Sequence, residues 1–237
     1  IKYVSAKNRL KKRPINIPKK KWLKNYKEAY KKSDIDIVVE GNGILFASDL
    51  AEEFDGKIKS HEKFGTSVVI FPDGYRVDVA TARVEYYEYP AALPTIKQSL
   101  VNSDLSRRDF TINSLAIKLN GEGAFCLIDF FNGERDLKNK EIHVLHNLSF
   151  IDDPCRLFRA IKFEQRFSFK ISKQTEELMK VAIKKGLVAS LSGTRLLNEI
   201  TLILKEKHPL THILRMKEFD LLKFISSQII LDSADLE

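Results

Sequence analysis

Residues 33–41 read Ser33-Asp34-Ile35-Asp36-Ile37-Val38-Val39-Glu40-Gly41. The apolar residues Ile35, Ile37, Val38 and Val39 predict a buried strand, and a loop begins at Gly41. Asp34 and Asp36 are two residues apart on this strand, so both carboxylates should point to the same face of a sheet. The spacing alone leaves an alternative open, in which the two aspartates end a strand and face water.

A third carboxylate lies in a similar setting. Residues 76–83 read Arg76-Val77-Asp78-Val79-Ala80-Thr81-Ala82-Arg83, and the pattern predicts a strand over residues 75–80. Three carboxylates that converge from neighbouring strands form a hard-oxygen site suited to Mg²⁺. Without a cation they would repel one another and their pKa values would rise. The pattern therefore predicts two-metal phosphoryl transfer, with one ion at the attacking hydroxyl and the other at a triphosphate.

The remaining chain predicts an α+β head followed by an all-helical neck. A helix is expected over residues 44–54, and the hydrophobic pattern predicts strands at 57–61 and 66–71. Helical spacing recurs at residues 108–118, and short strands are predicted at 124–131 and 142–145. No strand pattern remains after Phe150, and four amphipathic helices are predicted at 152–167, 172–185, 194–205 and 210–224. We therefore predict a basic segment at 1–32, a head at 33–148 and a neck at 149–237.

Composition excludes several classes of protein. No apolar run is long enough to cross a bilayer, and Cys126 and Cys155 form neither a disulfide framework nor a zinc motif. We therefore expect a soluble, cytoplasmic protein with no membrane partner. The net charge is +8, but residues 1–32 alone carry +12 and the rest of the chain −4. This segment either follows a phosphate backbone or is a solvated tail.

Longer motifs connect these pieces. Residues 107–116 read Arg107-Arg108-Asp109-Phe110-Thr111-Ile112-Asn113-Ser114-Leu115-Ala116, a mixture that amphipathicity alone does not produce. Residues 127–133 read Leu127-Ile128-Asp129-Phe130-Phe131-Asn132-Gly133, and Asp136-Leu137 follows. Together with the two carboxylate motifs, this order resembles tRNA nucleotidyltransferases and bacterial poly(A) polymerases of the polymerase β superfamily. The resemblance covers about residues 33–215 and implies a mixed-sheet, polymerase β-like nucleotidyltransferase head.

The resemblance also implies roles for named residues. Asp34, Asp36 and Asp78 would be the catalytic metal ligands. The residues implied to lie near the nucleotide are Arg83, Arg107, Arg108, Asp109, Asn113, Asp153, Arg156, Arg159 and Lys162. Residues 107–109 are expected at a helix N-terminus, which favours phosphate binding.

Asp153 and Arg156 are expected to share one helix face and to read the edge of a base. Outside the family, an acid favoured by the helix dipole and a surface arginine explain the pair equally well. The sequence departs from the family at Asp152, where glutamate is usual, and at Lys162, where arginine is usual. Arg195 and Glu199 are expected to form an intrahelical or interhelical ion pair that supports the Asp153 helix.

One family feature is missing. The family carries a Gly-Gly-x-Val-Arg-Asp segment before its first two aspartates, but residues 20–32 contain no glycine. The chain does not begin with Met, so we expect it to be part of a longer protein. Its further helical regions would clamp the tRNA.

Three functions remain open. The first is addition of AMP from ATP to the tRNA 3′ end, either alone or with CMP from CTP. The proline-punctuated segment at residues 85–94 resembles the bacterial branch that adds only A, and two prolines would stiffen a pocket built for one base. The second function is that of a bacterial poly(A) polymerase, and the third is a non-catalytic RNA-binding relative.

Overall fold

The computed structural model describes residues 35–89 and 94–226. These residues form two compact units. The first contains residues 35–85, 96–108 and 113–131, and the second contains 86–89, 94–95, 109–112 and 132–226. The predicted basic segment at 1–32 lies outside the described residues. Within the described part of the chain, no helix combines the length and hydropathy needed to span a membrane.

The first unit is built on a four-stranded mixed sheet with the order β1-β4-β3-β2. Its strands are β1 (Ile35–Val39), β2 (Lys57–His61), β3 (Thr66–Ile70) and β4 (Arg76–Thr81). β1 and β4 are parallel, whereas β2, β3 and β4 pair in antiparallel fashion. β1 therefore pairs with β4, a strand that is distant from it in the sequence.

Helix α1 (Gly43–Glu53) covers one face of this sheet. Asn42 caps its N-terminus by accepting a hydrogen bond from the backbone N–H of Leu45. The core on this face is apolar and contains Ile37, Val39, Ala47, Ala51, Val69, Val77 and Val79. Because side chains alternate along a strand, the residues between these valines and isoleucines point to the opposite face.

Shorter elements follow the sheet. They are β5 (Arg83–Tyr86), β6 (Thr95–Gln98), α2 (Val101–Ser106), β7 (Ala116–Ile117) and β8 (Leu127–Ile128). Val38, Ala82, Val101, Leu105 and Ala116 form a second apolar cluster. Val38 lies on the sheet face that α1 leaves open, so this cluster covers part of that face.

The second unit is mainly helical. Its elements are α3 (Gly133–Asn139), β9 (Glu141–Ile142), α4 (Ser149–Asp152), α5 (Cys155–Phe167), β10 (Lys170–Ile171), α6 (Lys173–Lys184), α7 (Gly193–Leu204) and α8 (Pro209–Glu218). α5 is central, since Leu157, Phe158, Ala160 and Ile161 are fully buried on it and it packs against α7 and α8. Ser172 caps α6, as expected, by accepting a hydrogen bond from the backbone N–H of Thr175.

The α+β class is confirmed, but three local predictions are wrong. Residues 108–118 form no α-helix, and only a single turn of 3-10 helix occurs at Thr111–Asn113. A short strand does occur after Phe150, since β10 pairs with β9. The helix predicted from residue 152 begins at Cys155, because Asp153 is extended and Pro154 precedes the first turn. The domain boundary near 148 stays a prediction, and residues 132–148 pack with the second unit.

Candidate active site

Two of the three predicted metal ligands lie side by side. Asp36 on β1 and Asp78 on β4 are partners in the parallel register. Both alternate with buried residues that face α1, so both carboxylates point to the face that α1 does not cover. The side chains are partly exposed, and their oxygens are the ligand type that a divalent cation prefers. Asp34 lies outside the described residues.

The first unit also gathers three of the predicted arginines around two acids. Asp104 accepts hydrogen bonds from Arg107 Nε at 3.1 Å and Nη2 at 2.7 Å, and from Arg108 Nη2 at 3.1 Å. Glu85 accepts from Arg107 Nη1 at 2.8 Å and from Arg83 Nη2 at 3.0 Å. Arg83, Arg107 and Arg108 thus form one cationic cluster. Asn113 belongs to the same unit and is partly exposed.

The setting of this cluster differs from the expected helix N-terminus. Arg107 is the C-cap of α2, so Arg107 and Arg108 follow the end of a helix rather than open one. The helix dipole therefore does not favour an anion here, because the C-terminal end carries partial negative charge. The positive charge at this place comes from the guanidinium groups.

In the second unit, Asp153 lies just before α5. Its Oδ1 accepts hydrogen bonds from the backbone N–H of Cys155 at 3.0 Å and from Arg195 Nη2 at 2.7 Å. Arg156 is buried on the first turn of α5, and its Nη1 donates to Ser149 Oγ at 2.7 Å. The two residues do not share a helix face, since Asp153 is extended. They are nevertheless both fixed at the start of one helix.

The other two predicted contacts on α5 are paired with acids. Arg159 Nε donates to Asp109 Oδ2 at 2.8 Å. Burial opposes the charge of Arg159, but Asp109 outweighs it and holds the pKa of the guanidinium above its usual value. The Lys162 side chain is only 6% exposed, and its Nζ lies 3.6 Å from Glu199 Oε2. Burial lowers the pKa of this ammonium, and Glu199 partly compensates.

The interhelical form of the expected ion pairing occurs. Arg195 pairs with Asp153 and Glu199 pairs with Lys162, so two residues of α7 support residues at or on α5. Cys155 lies beside these pairs. Burial raises the pKa of its thiol to about 12, with Asp153 adding to the effect.

Sequence reasoning did not assign Glu85 or Asp104 to the site. The sequence spacing of both residues could have indicated their ion pairs with these arginines. Glu85 is two residues from Arg83 on a strand, which places the side chains on one face. Asp104 is three and four residues before Arg107 and Arg108, the spacing of helical ion pairs.

A second group of metal-compatible residues lies in the second unit. Asp136, Glu141 and His143 offer ligand atoms within 4.8 Å of one another. Asp136 already accepts a hydrogen bond from Thr111 Oγ1 at 2.7 Å and forms an ion pair with Arg135. The donor sets of this group and of Asp36 with Asp78 both suit a divalent metal ion.

Two family models match the chain. The Poly A polymerase head domain matches residues 21–143, which is more than half of the chain. A model described as a probable RNA and SrmB-binding site of polymerase A matches residues 168–230. The two models follow one another in the chain, as the expected head and neck do.

Curated relatives and solved structures agree with the models. An A-adding tRNA nucleotidyltransferase from Geobacter sulfurreducens is 57% identical over 84% of this chain, and one from Aquifex aeolicus is 45% identical over 73%. The chain covers 22% and 21% of those two proteins. A solved CCA-adding enzyme in an apo form superposes with a TM-score of 0.82 at 47% identity, over 90% of this chain and 50% of the other.

A second solved structure is a complex with RNA and a nucleotide analog. It is a tRNA nucleotidyltransferase with a primer tRNA and an incoming ATP analog, with a TM-score of 0.77 at 37% identity over 90% of this chain and 59% of the other. The fold, the paired aspartates and the matches over both halves of the sequence lead to one conclusion. The chain belongs to the family of tRNA nucleotidyltransferases and poly(A) polymerases that share the poly(A) polymerase head domain.

Proposed function

We propose that this chain belongs to an A-adding tRNA nucleotidyltransferase, which transfers AMP from ATP to the 3′ end of a tRNA that ends in CC. The observation that carries the proposal is the parallel register that places Asp36 beside Asp78 on the sheet face that α1 does not cover. The relatives with A-adding names support the choice of nucleotide. A cytoplasmic location is part of the proposal.

The first unit would carry the chemistry. Asp36 and Asp78, with Asp34, would hold Mg²⁺, and Asp78 would also lie near the 3′-hydroxyl of the primer. When bound, Mg²⁺ promotes loss of the hydroxyl proton and neutralises charge on the triphosphate. The 3′-oxygen forms a bond to the α-phosphorus, while the bond from that phosphorus to pyrophosphate breaks. Arg83, Arg107 and Arg108 would bind phosphate oxygens, since guanidinium groups bind phosphate through paired N–H donors.

The second unit would select the base. Asp153 offers a carboxylate acceptor and Arg156 a forked donor, and together these suit the hydrogen-bonding edge of a base. Asp109 and Arg159 fix one another by their ion pair, and we assign both to the surroundings of the nucleotide. Lys162 is paired with Glu199, so we assign it a supporting position beside the same helix. Asn113, in the first unit, remains assigned to nucleotide binding.

Restriction to A rests on the similarity to the A-adding relatives and on the sequence of residues 85–94. The two prolines at this place were expected to stiffen the connection, and residues 90–93 lie outside the described part of the chain. An enzyme that changes from C to A has to reshape its pocket between steps. A stiff connection is suited to one base.

Two tRNA substrates test the function. Wild-type protein with Mg²⁺ is offered tRNA ending in CC with ATP, and tRNA lacking CCA with CTP. We expect one AMP on the first substrate and no CMP on the second. CMP incorporation would make the protein a CCA-adding enzyme, and a long A-tail would make it a poly(A) polymerase. No incorporation on either substrate would leave an RNA-binding relative.

A further inference from the structure

A buried carboxylate lies at the centre of the arginine cluster. Asp104 is completely buried, yet it is an ion that Arg107 and Arg108 both contact. Arg107 donates two hydrogen bonds to Oδ1, and Arg108 donates one to Oδ2. The backbone N–H of Arg83 also reaches Oδ1, at 3.4 Å. Asp104 is therefore connected to all three arginines of the cluster.

Glu85 fixes the same arginines from another side. Its Oε1 accepts from Arg107 Nη1 and from both Nε and Nη2 of Arg83. Arg83 Nη1 donates to the carbonyl oxygen of Phe64 at 2.6 Å, so its guanidinium plane is held on two edges. All of these residues belong to the first unit.

Taking a carboxylate out of water is costly, and the cost is offset only when the geometry is good and its remaining lone pairs accept hydrogen bonds. Asp104 meets both conditions with Arg107 and Arg108. Arginine side chains have many rotamers, and a ligand that must order them binds more weakly. Two carboxylates that bind three guanidinium groups leave a net charge of +1. They also fix the orientation of each guanidinium group before a ligand binds.

We propose that Asp104 and Glu85 are positioning residues that hold Arg83, Arg107 and Arg108 in the orientation that binds the triphosphate of the nucleotide. The inference rests on the proposed function, in which these arginines bind phosphate. It adds that two acids, which themselves repel phosphate, increase the affinity for it. Asp104 acts through the arginines and touches neither the base nor the metal.

The test separates phosphate binding from base binding. Asp104→Asn keeps the shape of the side chain and removes its charge. We expect its affinity for ATP and for inorganic tripolyphosphate, measured by calorimetry, to fall about tenfold to a hundredfold, because charge-assisted hydrogen bonds to Arg107 and Arg108 are lost. The KM for ATP should rise more than kcat falls. Asp153→Ala should weaken ATP binding without changing tripolyphosphate binding.

Controls exclude a merely structural role. Asp73→Asn is the same substitution at an exposed turn of the first unit, and it should leave both affinities unchanged. In an Arg107→Ala/Arg108→Ala background, Asp104→Asn should cause no further loss of tripolyphosphate affinity. Glu85→Gln provides a second variant if Asp104→Asn does not fold, and it should show the same selective loss.

The outcomes are distinguishable. Unchanged tripolyphosphate affinity in a folded Asp104→Asn or Glu85→Gln protein overturns the positioning role, and so does a full effect that persists without the two arginines. Wild-type protein that does not bind tripolyphosphate overturns it as well. Wild-type protein that binds tripolyphosphate but transfers no AMP contradicts the proposed function and leaves the positioning role intact.

Discussion

Asp36 and Asp78 share one level of the sheet through backbone hydrogen bonds between β1 and β4. A register shift of one residue would turn either side chain to the face covered by α1. Because this placement depends on the main chain, the carboxylate of Asp36 can be removed while the strand is kept. The proposed metal site can therefore be tested by a single substitution.

We expect Asp36→Ala to lower AMP transfer at least about 1000-fold, because loss of a metal ligand removes several kcal/mol of transition-state stabilisation. Incorporation of labelled AMP into tRNA ending in CC measures the loss. Circular dichroism and a tRNA binding assay should show an intact fold and intact binding. Asp49→Ala, on α1, is the control. Near-normal transfer by Asp36→Ala would contradict the metal assignment.

Asp153 should decide which base is accepted. Asp153→Ala removes an acceptor from the start of α5, and the loss should reduce discrimination between ATP and the other nucleotides by about 1–3 kcal/mol. Competition between ATP and CTP on tRNA ending in CC measures this ratio. Asp152→Ala, the neighbouring acid, should keep wild-type selectivity. Wild-type selectivity in Asp153→Ala would exclude a role in reading the base.

The sequence predicts residues that act through their own strand or helix, and it predicts tertiary partners poorly. The placement of Asp36 and Asp78 on one sheet face follows from the two-residue period of strands and from their motifs. The pairing of Arg195 with Asp153, and of Lys162 with Glu199, depends on how α7 packs against α5. Glu85 and Asp104 had suitable spacing, but only the folded chain shows that they share Arg107.

Helix α1 and strand β4 approach closely at Gly43. A Cβ at this position would lie 2.7 Å from the backbone nitrogen of Thr81 and 2.9 Å from its Oγ1. The Gly43 N–H also donates to Thr81 Oγ1 at 3.0 Å. The glycine thus ties the start of α1 to the end of the strand that carries Asp78.

Gly43→Ala should lower the free energy of unfolding by about 1–3 kcal/mol, because backbone atoms cannot move aside without strain. Transfer activity should fall with it, since β4 carries Asp78. Gly193→Ala, at the start of α7, meets no atom within 4 Å and should be nearly neutral. Urea unfolding of both variants measures the difference. Equal stability of the two variants would contradict the close approach.

Lys162 on α5 forms an ion pair with Glu199 on α7, and burial opposes the positive charge of the lysine. The folded-state pKa of Lys162 lies below that of the unfolded chain. Between these two pKa values the unfolded chain binds more protons at this residue, so its contribution to stability rises with pH. The unfavourable contribution of the buried charge is present below the folded pKa and is lost as the pH approaches 10.5.

Lys162→Met removes this dependence. We expect the stability of the wild type relative to Lys162→Met to increase between pH 7 and pH 10, as measured by urea unfolding. Lys180→Met is the matched control. Hydrogen bonds from Lys180 to Glu176 and Glu177 raise its pKa above 10.5, so its contribution stays constant between pH 7 and pH 10 and is lost only at higher pH. The same trend in both variants would contradict the assignment.

The helix predicted at residues 108–118 does not form, and the contacts of two residues explain why hydrophobic periodicity gave a wrong prediction there. Phe110 forms a bridge to Val144, and Thr111 is held through its backbone N–H by the carbonyl of His143 and through its hydroxyl by Asp136. These contacts use the groups that a helix would need. Buried residues at helical spacing therefore do not imply a helix when distant partners bind the backbone.

The positive charge of the chain is concentrated near the start of the sequence, and it bears on how the chain binds RNA. Residues 1–20 contain eight Lys or Arg and no acid. Two interpretations, a contact with phosphates and a solvated tail, predict different responses to salt. Each phosphate contact contributes about 0.7 to 0.9 to the slope of log affinity against log salt.

We expect a chain that begins at residue 21 to bind tRNA more weakly than the full chain at low salt, with the difference disappearing at high salt. Filter binding over a series of salt concentrations gives the slope. A variant of the 237-residue chain with these eight residues changed to Gln controls for length. An unchanged slope would identify the segment as a solvated tail, while the KM for ATP should stay constant in every variant.

The order β1-β4-β3-β2 also fixes when the site can exist during synthesis. A nascent chain that ends before β4 has made Asp36, but the strand that must lie beside it has not yet emerged. The carboxylates of Asp36 and Asp78 come together only when β4 enters between β1 and β3. Their mutual repulsion therefore opposes this last step of sheet formation. A divalent cation that binds both carboxylates stabilises the closed sheet and not the open one. An ion held at the proposed metal site would therefore also favour completion of the sheet during synthesis on the ribosome.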